Sequence, residues 1–141
     1  MSYFIRILTF FLLFNLCFQL STAQYITTFA GTGAHYDGGD GGQATAASFS
    51  CIYSFVRDIH NNIYISDPCG WKIRKIDSNG IVSTIAGTGI GGHNIDGAPA
   101  STSMLINFNL ASDNNGNVYI ADSFRYVKKN KHIRYNKYYR W

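Results

Sequence analysis

Two six-residue words decide the fold: NIYISD at residues 62–67 and NVYIAD at residues 117–122, an offset of 55. Each sets β-branched and aromatic residues between an Asn and an Asp, which reads as a short strand closed at both ends by turn residues. Working outward, AGTG stands at residues 30–33 and again at 86–89, an offset of 56. Asp40-Gly41 recurs as Asp96-Gly97, Ala44 as Ala100 and Phe49 as Leu105, all at that second offset. The step from 56 to 55 places the loss of one residue in the loop after Phe49. Self-similarity at such a period marks a repeat architecture.

Within each repeat the chain breaks into short runs of β character separated by turn residues. Residues 53–58 and 62–66 are joined by His60-Asn61, whose counterpart is Asn115-Gly116, a strong hairpin signal. A third run covers residues 71–76, and Asn79-Gly80 turns it into a fourth over residues 81–86. Four short antiparallel strands per repeat is the arithmetic of a propeller blade. Alternation is only partial, as in Ile63, Tyr64 and Ile65, which suits sheets covered on both faces. The composition agrees. All eight acidic residues are Asp and none is Glu, which favours turns over helices. With 46% hydrophobic and 14% charged residues the chain is neither disordered nor, with two prolines, collagen-like. The expected fold class is all-β, a β-propeller fragment of about two four-stranded blades.

The ordered set AGTG, GDGGQATAASF, VRDIHNNIYISD, WKIRKID and GIVSTIAGTG resembles the NHL-repeat family of β-propellers, in the long-loop extracellular form similar to the NHL region of teneurins. The resemblance covers residues 25–122. It implies blades whose loops offer one face to a ligand, usually a protein or a glycan and in some intracellular members RNA, and it implies no catalysis. NHL propellers typically close with six blades, whereas this length holds two, with residues 25–30 as the last strand of a further blade. Copies of such a unit can assemble into a homo-oligomer that completes a ring.

Ahead of the repeats stand Arg6, an apolar run over residues 7–20, and Ser21 and Ala23 at the −3 and −1 places of a cleavage site before Gln24. That pattern is a secretory signal peptide over residues 1–23, too short in its apolar part to span a bilayer. The expected location is extracellular, with no stable membrane span after cleavage. Residues 24–126 form the repeat region. Residues 127–141 form a Tyr-rich tail holding six of the twelve basic residues and no acid, so the rest of the chain has six basic residues against eight acidic ones. Nucleic-acid binding is accordingly not expected of the body. After Asp122 the expected counterpart of KIRKID is replaced by SFRYVKKNKHIRYNKYYRW, with Val127 counted into the place of Lys72 and the alternation out of step. The tail reads either as a genuine basic extension or as a truncated or frame-shifted reading frame.

Loss of Cys17 with the leader leaves Cys51 and Cys69. In an oxidising compartment one disulfide is the simplest reading; two free thiols, or half of a metal site, are the alternatives. In a four-strand meander the link into the first strand and the link from the second to the third share an edge. They hold Cys51 and Cys69 respectively, so a bridge between them is geometrically reasonable. Asp67 and Asp122 end equivalent strands and Trp71 and Lys72 open the next one, which nominates Asp67, Trp71, Lys72 and Asp122 for a ligand-binding rim. Tight turns account for the Asp residues equally well.

Asp37, Asp40 and Asp96 among glycines offer oxygen ligands for Ca²⁺, or simply Asp-Gly turns. His35 and His93 occupy equivalent loops and are the ligands a metal-dependent propeller enzyme, such as a peptidyl-hydroxyglycine lyase-like protein, would use. Residues 87–92 formally match G-x-G-x-x-G, but no helical pattern follows and the dinucleotide reading fails. No cofactor and no catalytic residue is assigned. The expected function is a secreted, non-catalytic NHL-type interaction module, with the metal enzyme or a non-functional gene fragment as alternatives.

Overall fold

The computed structural model describes residues 24–92, 97–106, 108–122, 126–131, 134–135 and 139–140, together with residue 3. The leader expected over residues 1–23, residue 3 apart, lies outside the described residues, as do His93 and Asp96. The described elements are nine strands and two one-turn 3-10 helices. Strands β1 (Ser54–Arg57), β2 (Ile63–Asp67), β3 (Lys72–Ile76) and β4 (Val82–Ala86) form one antiparallel sheet in sequence order. Strands β5 (Phe108–Ser112), β6 (Val118–Asp122), β7 (Tyr126–Lys131) and β8 (Arg134–Tyr135) form a second, with β9 (Tyr139–Arg140) also pairing β7. The protein is all-β, in two antiparallel sheets.

A repeated side-chain device sets the hairpin between the first two strands of each sheet. Asp58 Oδ1 accepts from the N–H groups of His60 (2.8 Å) and Asn62 (2.9 Å), while Oδ2 accepts from Asn62 Nδ2 (2.8 Å) and the Tyr64 hydroxyl (3.0 Å). In the second sheet Asp113 does the same with Asn115, Asn117 and Tyr119. Such carboxylate-to-backbone bonds are what make Asp a turn residue. Asn61 and Gly116, at equivalent places, carry the left-handed backbone that each turn needs, with φ of 64° and 76°.

The register restores the second repeat's third strand. Val118 faces Asn130, Ile120 faces Lys128 and Ala121 faces Val127, where the first sheet pairs Ile63 with Ile76, Ile65 with Arg74 and Ser66 with Ile73. Val127 therefore takes the place of Ile73 rather than that of Lys72, which corrects the expected loss of alternation. The physical reason is a link one residue shorter between Asp122 and Tyr126 than between Asp67 and Lys72.

Two cores flank the first sheet. One lies between the sheets and joins Tyr64, Ile73 and Ala86 to Ala100, Leu105, Leu110, Val118 and Ile120. The other lies on the opposite face, where Ala44, Ala47 and Phe49 cover Ile65, Ile76 and Val82. The same backbone bonds close both. Gly31 N donates to Ala44 O (2.8 Å) and Thr32 N to Ala47 O (2.9 Å), as Gly87 N donates to Ala100 O and Thr88 N to Ser103 O (both 3.0 Å). The loop also shields the outer edge of β4: Gly41 N donates to Val82 O and Val82 N to Gly42 O.

Residues 25–29 depart from expectation. They lie exposed and outside any sheet, because a strand needs a ladder to satisfy its backbone and none among the described residues reaches them. Ala30 alone joins the second core.

Two outcomes follow from this packing. Ile73 is fully buried at the centre of the inter-sheet core, so Ile73→Ala is expected to lower the unfolding free energy by about 2–4 kcal/mol in chemical denaturation. The exposed Ile90→Ala serves as a control, expected to fall within about 0.5 kcal/mol of the parent. The second outcome concerns acid. Asn117 and its neighbours hold the Asp113 carboxyl at about 2, and at Asp58 the hydrogen bonds from Asn62, His60 and Tyr64 outweigh the opposing effect of burial and leave its carboxyl below the usual value. A carboxylate lowered by folding stabilises above its unfolded pKa, and that contribution is lost as pH falls through the folded one. Thermal melts should therefore hold steady down to about pH 4.5 and fall from there toward pH 2, with a smaller fall in Asp113→Asn.

Candidate functional site

The link into β1 and the link from β2 to β3 meet at one edge of the first sheet, and a fully buried carboxylate ties them together. Asp67 Oδ2 accepts from Ser50 N (2.7 Å); Oδ1 accepts from Cys51 N and Gly70 N, both at 3.0 Å. Three N–H donors on one carboxylate organise both links at once. Cys51 and Cys69 are joined in a disulfide with a Cα–Cα distance of 5.6 Å, and Cys69 N lies 3.1 Å from Cys51 Sγ. Sequence pairing and structure agree on this bridge.

Trp71 follows at a positive φ of 53° and is half-buried. The Gly87 backbone crosses so close that a Cβ there would lie 2.1 Å from the Trp71 carbonyl oxygen; Gly87, at φ 98°, is the residue the crossing permits. A Cβ on Gly91 would meet the indole at 3.0 Å, so the ring lies against the glycine loop that begins the second repeat.

Lys72 and Arg74 leave β3 toward the Gly/Asp loop. Lys72 Nζ pairs with Asp37 Oδ2. Arg74 Nη1 reaches Asp37 Oδ1 at 2.5 Å, and Nη2 reaches Asp40 Oδ1 at 2.7 Å and the Gly38 carbonyl at 3.0 Å. Arg74 is fully buried, with its guanidinium carbon 5.4 Å from the centre of the Phe49 ring. Burial would raise the Asp40 carboxyl, yet hydrogen bonds from Thr84 and Arg74 prevail and hold it below its ordinary value.

These contacts place the residues nominated from sequence. Asp67 is wholly buried and its carboxylate is occupied by three backbone donors. Trp71 ends the link from β2 and Lys72 opens β3, where it is engaged with Asp37. Asp122 ends β6, and its backbone pairs with Phe108. Asp37 and Asp40, read as calcium ligands, face two cationic side chains, so their charge is already balanced. His35 lines a different feature, while His93 and Asp96 lie outside the described residues. Among the described residues no three His, Cys, Asp or Glu side chains stand together as a metal site. Arg74 and Asp58 escaped the sequence reading. The available signal for Arg74 was a cation in strand register with inward-facing Ile65, together with Asp37 and Asp40 in the preceding loop.

Beside the disulfide runs an open groove of about 510 Å³ between residues 28–35 and residues 49–52, with Phe49, Cys51 and Ile52 along one wall and His35 on the other. Ile52 is exposed there. The edge thus combines a covalently fixed loop pair, a half-buried indole and an apolar groove.

A segment of a known protein is similar to part of this chain. Over 50 residues, or 36% of this chain, it is 46% identical to teneurin-1 of Gallus gallus. The match spans 2% of that protein's length. No protein-family model matches the chain. Among the described residues no helix is long and apolar enough to cross a membrane.

The buried guanidinium gives a direct test. Arg74→Met takes a charged partner from Asp37 and Asp40 and one of two donors from the carbonyls of Gly38 and Ser48, and is expected to cost about 3 kcal/mol in chemical denaturation. Lys72→Met, which removes a partly exposed partner, should cost under about 1 kcal/mol.

Proposed function

We propose that this chain is a secreted, non-catalytic interaction module of NHL type, whose two sheets are propeller blades and whose disulfide-bearing edge binds an extracellular protein or glycan. The observation that carries the reading is the Cys51–Cys69 bridge joining two links at one sheet edge beside an apolar groove. Ordering loops before a partner arrives removes part of the entropic cost of binding, which is how rigid scaffolds make loops into recognition surfaces. The repeated words, the leader pattern ahead of Gln24 and the similarity to a segment of teneurin-1 support the same reading.

The oxidised, secreted chain, fluorescently labelled, should bind cell surfaces or a glycan array saturably. Ile52→Arg in the groove wall, and Cys51→Ser with Cys69→Ser, are expected to weaken that binding by about tenfold or more, while Ile90→Ser leaves it unchanged. Saturable binding indifferent to the groove and the bridge, or none at all, would remove this assignment.

A further inference from the structure

The two sheets meet through one contact, and the chain carries both halves of that contact a second time. On the inner face of the first sheet, Val56, Tyr64 and Ile73 receive Leu110, Val118 and Ile120 of the second. Two polar bonds fix the outermost strands: Leu110 N donates to Ser54 Oγ (3.3 Å), and the Ser112 hydroxyl donates to Arg57 O (2.9 Å). The registers of the sheets correspond. Phe55 pairs with Ile65 and Arg57 with Ile63 in the first; Leu110 pairs with Ile120 and Ser112 with Val118 in the second.

Phe55 therefore occupies in the first sheet the place that Leu110 occupies in the second. Leu110 is 8% exposed and Phe55 69%, with Tyr53 and Ile52 exposed beside it. Loop residues 30–49 cover Ile63 and Ile65 on this face but stop short of its β1 margin. At the other end of the stack, Asn109 and Ala111 hold the places of Ser54 and Val56, and both are exposed, as is Ala121 at the place of Ser66.

We propose that the Phe55 margin docks onto the Asn109–Ala111 margin of a second copy of this chain, repeating the internal sheet-to-sheet contact head to tail. The side chains complement each other. Where Leu110 meets Val56 within the chain, the larger Phe55 meets the smaller Ala111 between chains, and Asn109 brings an amide oxygen to the place of the Ser54 hydroxyl. A second copy is the favoured occupant because each copy carries one half of each kind in the register that the internal contact already uses. The contact is heterologous, so each copy retains a free half for the next. It uses the sheet face around Phe55, with Ile52 standing between that face and the groove beside the disulfide, and its test reads association of the chain rather than ligand binding.

Sedimentation of the full chain, secreted and oxidised, over a range of concentrations tests this directly. Species larger than the monomer should grow with concentration. Phe55→Asp and Ala111→Arg are each expected to weaken association by roughly tenfold or more, with melting temperature and the Cys51–Cys69 bridge unchanged. Mixing the two variants should recover a heterodimer, since the first keeps its Ala111 half and the second its Phe55 half. Should either variant fail to melt cooperatively, Phe55→Ser and Ala121→Lys replace the pair. A parent chain monomeric throughout, association indifferent to either substitution, or no recovery on mixing overturns the proposal.

Discussion

The buried guanidinium of Arg74 holds a long glycine-rich loop against a small sheet, and much of the first repeat's geometry depends on it. Between residues 30 and 49 the chain has no strand and few large apolar side chains, so it cannot fold onto the sheet by burial alone. Arg74 supplies the missing tether, bonded to Asp37, Asp40 and two carbonyls and lying over Phe49. A buried cation is tolerable here because both terminal nitrogens of the guanidinium find carboxylate and carbonyl partners, Nε alone standing without one. Once the loop is seated, Ala44, Ala47 and Phe49 complete a second core, and residues 49–52 come to stand beside the β2–β3 link.

That seating prepares the edge where Asp67 and the disulfide operate. Asp67 gathers N–H groups from both links, and the bridge makes their proximity permanent. The two devices differ in kind. The carboxylate selects a local conformation through hydrogen bonds, while the bridge chiefly restricts the unfolded chain. Together they give a stretch of links the fixity of a strand.

How much of this was legible beforehand depends on the range of the interaction. The strands, their hairpins and the Cys51–Cys69 pairing come from local patterns and topology, and they stand where the repeated words put them. Asp58 and Asp113 were readable only as turn residues, since the Tyr hydroxyls that complete their networks lie on the following strands. Arg74 escaped because KIRKI taken alone does not say which of its cations turns inward; its register with Ile65 hints at it, and its partners Asp37 and Asp40 lie more than thirty residues away. The same distance separates Asp37 and Asp40, read as calcium ligands or as turn residues, from the cations they meet. The third strand of the second repeat was misjudged for a different reason. Counting along the chain cannot detect a link shortened by one residue, whereas ladder pairing across β6 and β7 reveals it at once.

The sequence by itself determined the all-β class, the two repeats and the strand order of the first sheet, because these rest on periodicity, turn chemistry and spacing along the chain, and it offered the Cys51–Cys69 bridge as the simplest of three readings. Only the tertiary structure decided which faces are covered. Phe55 and Leu110 are both apolar residues of an outermost strand, yet one is open to solvent and the other is buried, since only the second has a sheet stacked on it. Burial is a property of neighbours rather than of residues, so neither pattern nor composition distinguishes the two.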